Sequence, residues 1–366
     1  MDPKNNLKRL ISQMDDSYDG ALITPGSNLY YLTGLNPKNV LERLFSVIVY
    51  PDKKPVLIIP KLYEDYIEQS SIDFENIYVW GDDQDPYKYL EKALKDLKGC
   101  NKNLLIEDSM SADVLMKIKD LLGKYSWSSL NSETSRFRKI KSKEEIRHMK
   151  KAAEIADQTF EALLEEQLIG KTEIELASRI DLLLKEFGAS DTPFETMVAS
   201  GPNSANPHHF PSKRQIKEKD IVIFDYGAKY KGYCSDISRT VAIKKAPEGS
   251  KKVYDIVKSA LTKSKEIVKA GIEARQIDKK ARDVIVDEGY GENFKHRVGH
   301  GIGLDAHEEP YLTGENREKI KKGMTFTIEP GIYLKGRYGI RIEDDIYTLE
   351  EEGKSLTKSD RGFICL

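Results

Sequence analysis

The chain has 366 residues, more than one ordinary hydrophobic core organises, so two domains are expected. Its 58 basic and 60 acidic residues nearly cancel, which argues against a nucleic-acid partner and against an acidic tail for a basic one. The opening MDPKNNLKRLISQMDD lacks an apolar run of signal-peptide length, and LFSVIVYPDKKPVLIIP is broken by charges and prolines, so no membrane association is expected.

Residues 1 to about 131 alternate between strand and helix signals. Strands are expected at Ala21–Ile23, Ser46–Tyr50, Pro55–Ile59, Ile77–Trp80 and Asn103–Ile106, with a turn at residues 51–54. Helices are expected at Pro86–Leu97 and Ala112–Leu122. The alternation predicts an α/β domain with its own sheet. From residue 132 onward the pattern changes. Ser142 and Glu145 form a capping box that opens a long helix, whose apolar stripe runs through Ile146, Met149, Ala153, Ile155, Phe160 and Leu163. Thr172 and Glu175 repeat the device, and Gly188 marks the end of that second helix. Two more helices are expected near 250–269 and 274–288, with strand-rich stretches at 219–244 and 323–350. The order of helix pair, hairpin, helix pair, hairpin is a faint internal duplication. His148 is expected on a helix surface without a chemical role. The three cysteines, Cys100, Cys234 and Cys365, are far apart and without metal-ligand spacing, so a cytoplasmic location is expected.

Four carboxylates and one histidine of this second region carry the chemistry: Asp225, Asp236, His300, Glu329 and Glu343. The run from Ile221 to Phe224 ends in Asp225, and a reversal at Gly232 returns the chain to Asp236, expected opposite Asp225. An isolated pair of this kind is ordinary hairpin chemistry. Here it recurs, because Glu329 follows the strand Met324–Ile328 and the chain turns at residues 335–337 before reaching Glu343. Four converging anions repel unless cations sit between them. His300 lies in Gly-His-Gly-Ile-Gly, where absent side chains allow close backbone approach. Oxygen-rich donors with one imidazole favour two catalytic divalent cations, Mn, Co, Fe or Zn, over a thiolate structural zinc. Such a pair generates a nucleophile from water at neutral pH and stabilises a tetrahedral intermediate, so metal-assisted hydrolysis is expected. His208 and His307 are candidate substrate-side groups. His209 and His296 remain unassigned on sequence.

Taken together, FDYGAKYKGYCSD, GHGIGLDAHEEP, TIEPG and RIEDD resemble the pita-bread metallopeptidases, in particular the proline-peptidase branch of prolidase and aminopeptidase P. NLYYLTGLN, residues 28–36, is similar to the creatinase-like N-terminal domain of that branch. The resemblance implies an α/β domain over residues 1–131. It also implies an α+β pita-bread catalytic domain over 132–366, with two α–α–β–β halves related by pseudo-twofold symmetry. It implies Asp225 on one metal, Asp236 and Glu343 bridging two, and His300 and Glu329 on the second, with Mn or Co ahead of Zn or Fe. It further implies Glu329 as the proton carrier, His208 and His307 as catalytic and substrate-binding groups, and Arg341 at the substrate end. The substrates would be small proline-containing peptides and the assembly a homodimer. Tyr311 departs from the pattern, since some prolidases carry an arginine after the HE-x-P segment that meets a dipeptide's carboxylate. Hydrolysis of Xaa-Pro dipeptides is the expected activity, with aminopeptidase P next. Three rivals fit less well. Methionine aminopeptidase usually lacks a leading α/β domain, whereas a metal-free creatinase-like hydrolase or a non-catalytic peptide-binding module would have lost ligands that this chain retains.

Overall fold

The computed structural model describes the whole chain except residues 15–16, 39, 41, 96, 98–102 and 124. Cys100 and the expected helical residue Asp96 lie outside the described residues. The chain divides into two compact units, Met1–Phe137 and Arg138–Leu366.

In the first unit six strands form one sheet: β1 (Gly20–Ile23), β2 (Ser46–Val49), β3 (Val56–Pro60), β4 (Asn76–Trp80), β5 (Asn103–Ile106) and β6 (Ser126–Ser129). Their order is β4-β3-β2-β1-β5-β6. The β1–β2–β3 meander is antiparallel, and the outer pairings β3–β4, β1–β5 and β5–β6 are parallel. The helices are α1 (Pro3–Met14), α2 (Ser27–Thr33), α3 (Pro86–Leu94), α4 (Ala112–Leu122) and α5 (Leu130–Arg138). Asp85 caps α3 through the Tyr87 amide, and Ser111 caps α4 through Val114. Leu22, Ile48 and Ile58 of the sheet and Leu90, Leu94 and Ile118 of α3 and α4 share one buried cluster, as expected when helices cover a sheet face.

The second unit begins with α6 (Lys143–Leu164) and α7 (Glu173–Glu186). Both are opened by the capping boxes seen in the sequence, with Ser142 and Thr172 each accepting from the glutamate amide three residues on. These helices bury Ile155, Phe160, Ile180 and Leu184 against Val222 and Phe224. The sheet they cover has the order β19-β11-β8-β7, from β7 (Met197–Ser200), β8 (Ile221–Tyr226), β11 (Ile237–Ala242) and β19 (Ile364–Cys365). A two-strand ribbon of β9 (Lys229–Tyr230) and β10 (Tyr233–Cys234) joins β8 to β11. Lys231 and Gly232 both have positive φ, the two-residue hairpin turn that matches strand twist.

The pattern then repeats. Helices α8 (Ser250–Glu266) and α9 (Ala274–Asp287) bury Val257, Leu261, Ile277 and Ile285 against Phe326, Ile328 and Ile346. Their sheet runs β13-β12-β14-β17-β18: β12 (Gly299–Gly301), β13 (Glu308–Leu312), β14 (Thr325–Ile328), β17 (Asp344–Thr348) and β18 (Gly353–Ser355). A hairpin of β15 (Gly331–Leu334) and β16 (Tyr338–Arg341) lies between β14 and β17 in the chain. Two halves of helix pair plus sheet, the architecture expected from the duplication, therefore build this unit.

Four expectations need correction. Helices α1, α2 and α5 were not anticipated, and α3 ends at Leu94 rather than Leu97. Asp236 does not face Asp225, because the β8–β11 register pairs Asp225 with Ser238. The offset arises because the chain leaves the ladder after Tyr226 to form the β9–β10 ribbon. His148 is not a plain surface residue. It is half-buried beside the Tyr230 and Tyr233 rings, at centroid distances of 6.2 and 5.6 Å, and its Nδ1 is buried without a hydrogen-bond partner.

Candidate active site

Strand β8 is apolar through Phe224 because both its faces are covered, and its penultimate residue, Asp225, reaches the end of the sheet. Asp236 immediately precedes β11, and its amide donates to Asp345 Oδ2 at 2.9 Å. Glu329 and Glu343 fill a break in a single ladder. Ile328 pairs with Asp344 on one side of the break and Gly331 with Arg341 on the other, so one register sets the two glutamates across from each other. Pro330, next to Glu329, has no amide hydrogen to continue the ladder. The freed backbone groups are used elsewhere: Glu329 N donates to Val298 O at 2.7 Å, and Glu343 N to Ser238 O at 3.1 Å. The break thus ties both glutamates to the strands that carry His300 and Asp236.

His300 sits between glycines that no other residue replaces. A Cβ on Gly299 would stand 1.9 Å from Thr327 O, and one on Gly301 would stand 2.3 Å from Glu309 O. The His300 Nδ1 faces the Gly301 carbonyl at 3.1 Å, which assigns the ring proton to Nδ1 and leaves Nε2 as a lone-pair donor. That Nε2 lies 3.4 Å from Glu329 Oε1 and 3.7 Å from Asp236 Oδ2. Burial, reinforced by neighbouring His307, lowers the His300 pKa to about 3, so the ring is neutral. The rings of His300 and His307 are 3.9 Å apart.

Donor atoms of Asp236, His300 and Glu343 all lie within 4.8 Å of one another. Asp236 Oδ1 and Glu343 Oε1 are buried with no hydrogen-bond partner. Burial and mutual repulsion raise the Asp236 pKa well above the carboxylate range, and burial with the charges of Glu329 and Asp225 does the same for Glu343. Burial also pushes Glu329 up to about 8. Oxygens that lack a donor, held where ionisation is unfavourable, are the physical signature of a cation site. The residues therefore fit divalent metal. Among the expected ligands, Asp236, His300, Glu343 and Glu329 converge directly. Asp225 lines the same cavity but is ion-paired through Oδ2 to Arg341.

Arg341 is buried and each of its three guanidinium nitrogens is engaged. Beyond Asp225, it donates to Ser238 Oγ (2.8 Å), Tyr333 OH (2.9 Å) and Pro207 O (3.1 Å). Ser238 donates in turn to Glu343 Oε2 at 2.7 Å. Tyr333 also meets His296 Nε2 at 2.9 Å, while His296 Nδ1 is 2.7 Å from Arg297 O. His296 thus belongs to the site, neutral because burial lowers its pKa to about 3. Tyr333 and Ser238 gave no signal in the sequence, since their partners are distant along the chain. His209 Nε2 contacts the fully buried Glu173 at 2.8 Å, which also accepts from Ser200, Asn203 and Ser212. Glu173 thereby pins the loop that presents His208, which is exposed at the cavity. The cavity holds about 630 Å³ and is lined by all five expected ligands, His208, His307 and Arg341, with Phe194, Met197 and Phe210 on its apolar side.

Comparison with known proteins supplies the family. Residues 147–350 match the model of metallopeptidase family M24, and residues 6–140 match the creatinase/prolidase N-terminal domain. The chain therefore belongs to metallopeptidase family M24, on a creatinase-type N-terminal domain followed by a pita-bread catalytic domain. It is 36% identical over 360 residues to an Xaa-Pro dipeptidase of Pyrococcus horikoshii, covering 98% of each chain. It superposes on a recombinant prolidase from Thermococcus sibiricus with a TM-score of 0.96 at 47% identity, over all of both chains. An X-Pro aminopeptidase from Thermotoga maritima gives 0.85 at 32% identity, over 98% of this chain and 99% of the other.

Proposed function

We propose that this protein is a metal-dependent Xaa-Pro dipeptidase, hydrolysing the peptide bond that precedes a carboxy-terminal proline. The observation that carries the reading is the pair of unpartnered buried oxygens, on Asp236 and Glu343, beside the free Nε2 of His300. Full-length relatives named Xaa-Pro dipeptidase and prolidase support the substrate class. Asp225, Asp236, His300, Glu329 and Glu343 would hold two divalent ions, Mn or Co first and Zn or Fe also compatible. Bound there, such ions acidify water and polarise the scissile carbonyl.

The chain's own groups do the rest. Glu329 accepts the proton of the attacking water and passes it to the leaving imino nitrogen. His307, neutral because burial lowers its pKa, donates toward the carbonyl oxygen, and His208 orients the prolyl residue from the loop held by Glu173. Arg341 faces the substrate end of the cavity and fixes Asp225 there. Buried Met197 and half-buried Phe194 give the cavity an apolar side for the prolyl ring. The working form is a cytoplasmic homodimer, a reading supported by the sparse cysteines and by the family resemblance. No described helix is long and apolar enough to cross a membrane.

Aminopeptidase P is the second reading. It is favoured by a second cavity of about 920 Å³ that shares His296, Arg297 and Thr313 with the first and offers room for a longer peptide. The Glu329→Gln variant tests the mechanism. It should fold normally and lose about 10²–10⁴-fold in kcat, and near-normal turnover would remove Glu329 from the proton path.

A further inference from the structure

We propose that Arg297 reads the free carboxylate of the dipeptide and thereby sets the length of peptide that the site accepts. This rests on the dipeptidase reading and names the group that would enforce it. A dipeptide ending in proline places a carboxylate one residue beyond the scissile bond. Bringing that anion into a partly enclosed cavity without a partner is costly, and a planar guanidinium meets it with two parallel hydrogen bonds.

Among the described residues that line the catalytic cavity, two are permanent cations, Arg297 and Arg341. Arg341 is committed to Asp225, Ser238, Tyr333 and Pro207. No described carboxylate is within ion-pair range of Arg297. Its guanidinium carbon instead lies 4.6 Å from the centroid of the Tyr311 ring. A guanidinium stacked on an aromatic face keeps its in-plane N–H groups available.

The backbone under Arg297 is fixed on both sides. Arg282 donates to His296 O at 2.9 Å, Val298 N donates to Asp278 Oδ1 at 3.0 Å, and Arg282 and Asp278 are themselves paired on α9. Arg297 is thus braced through both its main chain and its side chain before any ligand arrives.

The surrounding charge points the same way. In the adjoining cavity Arg275 pairs with Glu273, Lys279 with Asp283, and Arg282 with Asp278. Lys295 and Lys319 have no carboxylate in range among the described residues, so this wall carries a cationic excess that draws an anionic substrate end toward it. Of these cations only Arg297 lines both cavities, at their shared boundary with His296 and Thr313.

The test compares Ala-Pro with Ala-Pro amide on the metal-loaded full chain, in wild type, Arg297→Ala and Arg297→Lys. Calorimetric binding of proline and prolinamide runs beside it. Wild type should favour the free acid. Arg297→Ala should lose about 10–100-fold in kcat/KM for the acid while the amide stays nearly unchanged, and Arg297→Lys should recover part of the loss. Proline should bind more tightly than prolinamide in wild type and equally in Arg297→Ala. A variant that keeps the full preference for the acid, or loses both substrates equally, overturns the assignment. Should wild type cleave neither substrate, the dipeptidase reading fails, and the proline–prolinamide comparison then decides the role of Arg297 alone.

Discussion

Asp236 and Glu343 are the least satisfied carboxylates of the cavity, and Glu173 is its opposite. All are buried, yet Glu173 has a donor for every lone pair it presents, from Ser200, Asn203, His209 and Ser212. Burial pushes the Glu173 carboxyl up, but these hydrogen bonds outweigh it and hold the pKa below 4.5. A carboxyl whose folded pKa is depressed contributes stability above its unfolded value, and that contribution is lost as the pH falls through the folded value. Glu173→Gln should therefore cost about 1–3 kcal/mol near neutral pH, where an amide meets donors with a donor. In urea unfolding, the gap between wild type and variant should stay level at higher pH and narrow below about pH 4.5. A gap that widens on acidification would contradict the assigned charge state. The variant should also raise KM more than it lowers kcat, because the loop bearing His208 loses its anchor.

Scale changes the question from which groups are satisfied to how strands bring them together. The interrupted ladder around Glu329 and Glu343 and the close approach at Gly299 both depend on backbone rather than on side-chain chemistry. Gly299→Ala should destabilise the catalytic unit by about 1–3 kcal/mol or more, since the new methyl meets the Thr327 carbonyl. Thermal unfolding would measure this, and a variant as stable as wild type would show that β12 moves freely. Much of this level is legible in sequence. Capping boxes locate α6 and α7, and apolar runs locate β1 to β5 within a residue or two. Helix α1 also had a signal, since Leu7, Leu10 and Met14 fall on one buried face at helical spacing. Helix α2 had almost none, being seven residues long and rich in aromatics that read equally well as strand. Register was the harder matter. The β9–β10 ribbon shifts Asp236 away from Asp225, and no local pattern announces it. The partners of Tyr333, Ser238 and Arg297 lie far along the chain, so their place in the site is a product of tertiary folding.

For the molecule as a whole, the site is a store of conditional stability. Clustered buried carboxylates resist ionising until a cation arrives, so metal that binds only the folded chain raises its stability by mass action, about 2.7 kcal/mol at a hundredfold excess over Kd. Chelator-stripped protein should melt several degrees below the metal-loaded form, and Glu343→Gln should shrink that difference. Equal melting temperatures with and without metal would count against the ligand set. The most direct test of the account is proline release by stripped protein reloaded with Mn, Co or Zn, offered Ala-Pro beside Ala-Pro-Ala. Release of proline from the dipeptide, only after reloading and with the tripeptide left intact, is the predicted result. No cleavage under any of the three metals, or turnover that persists after stripping, would contradict it.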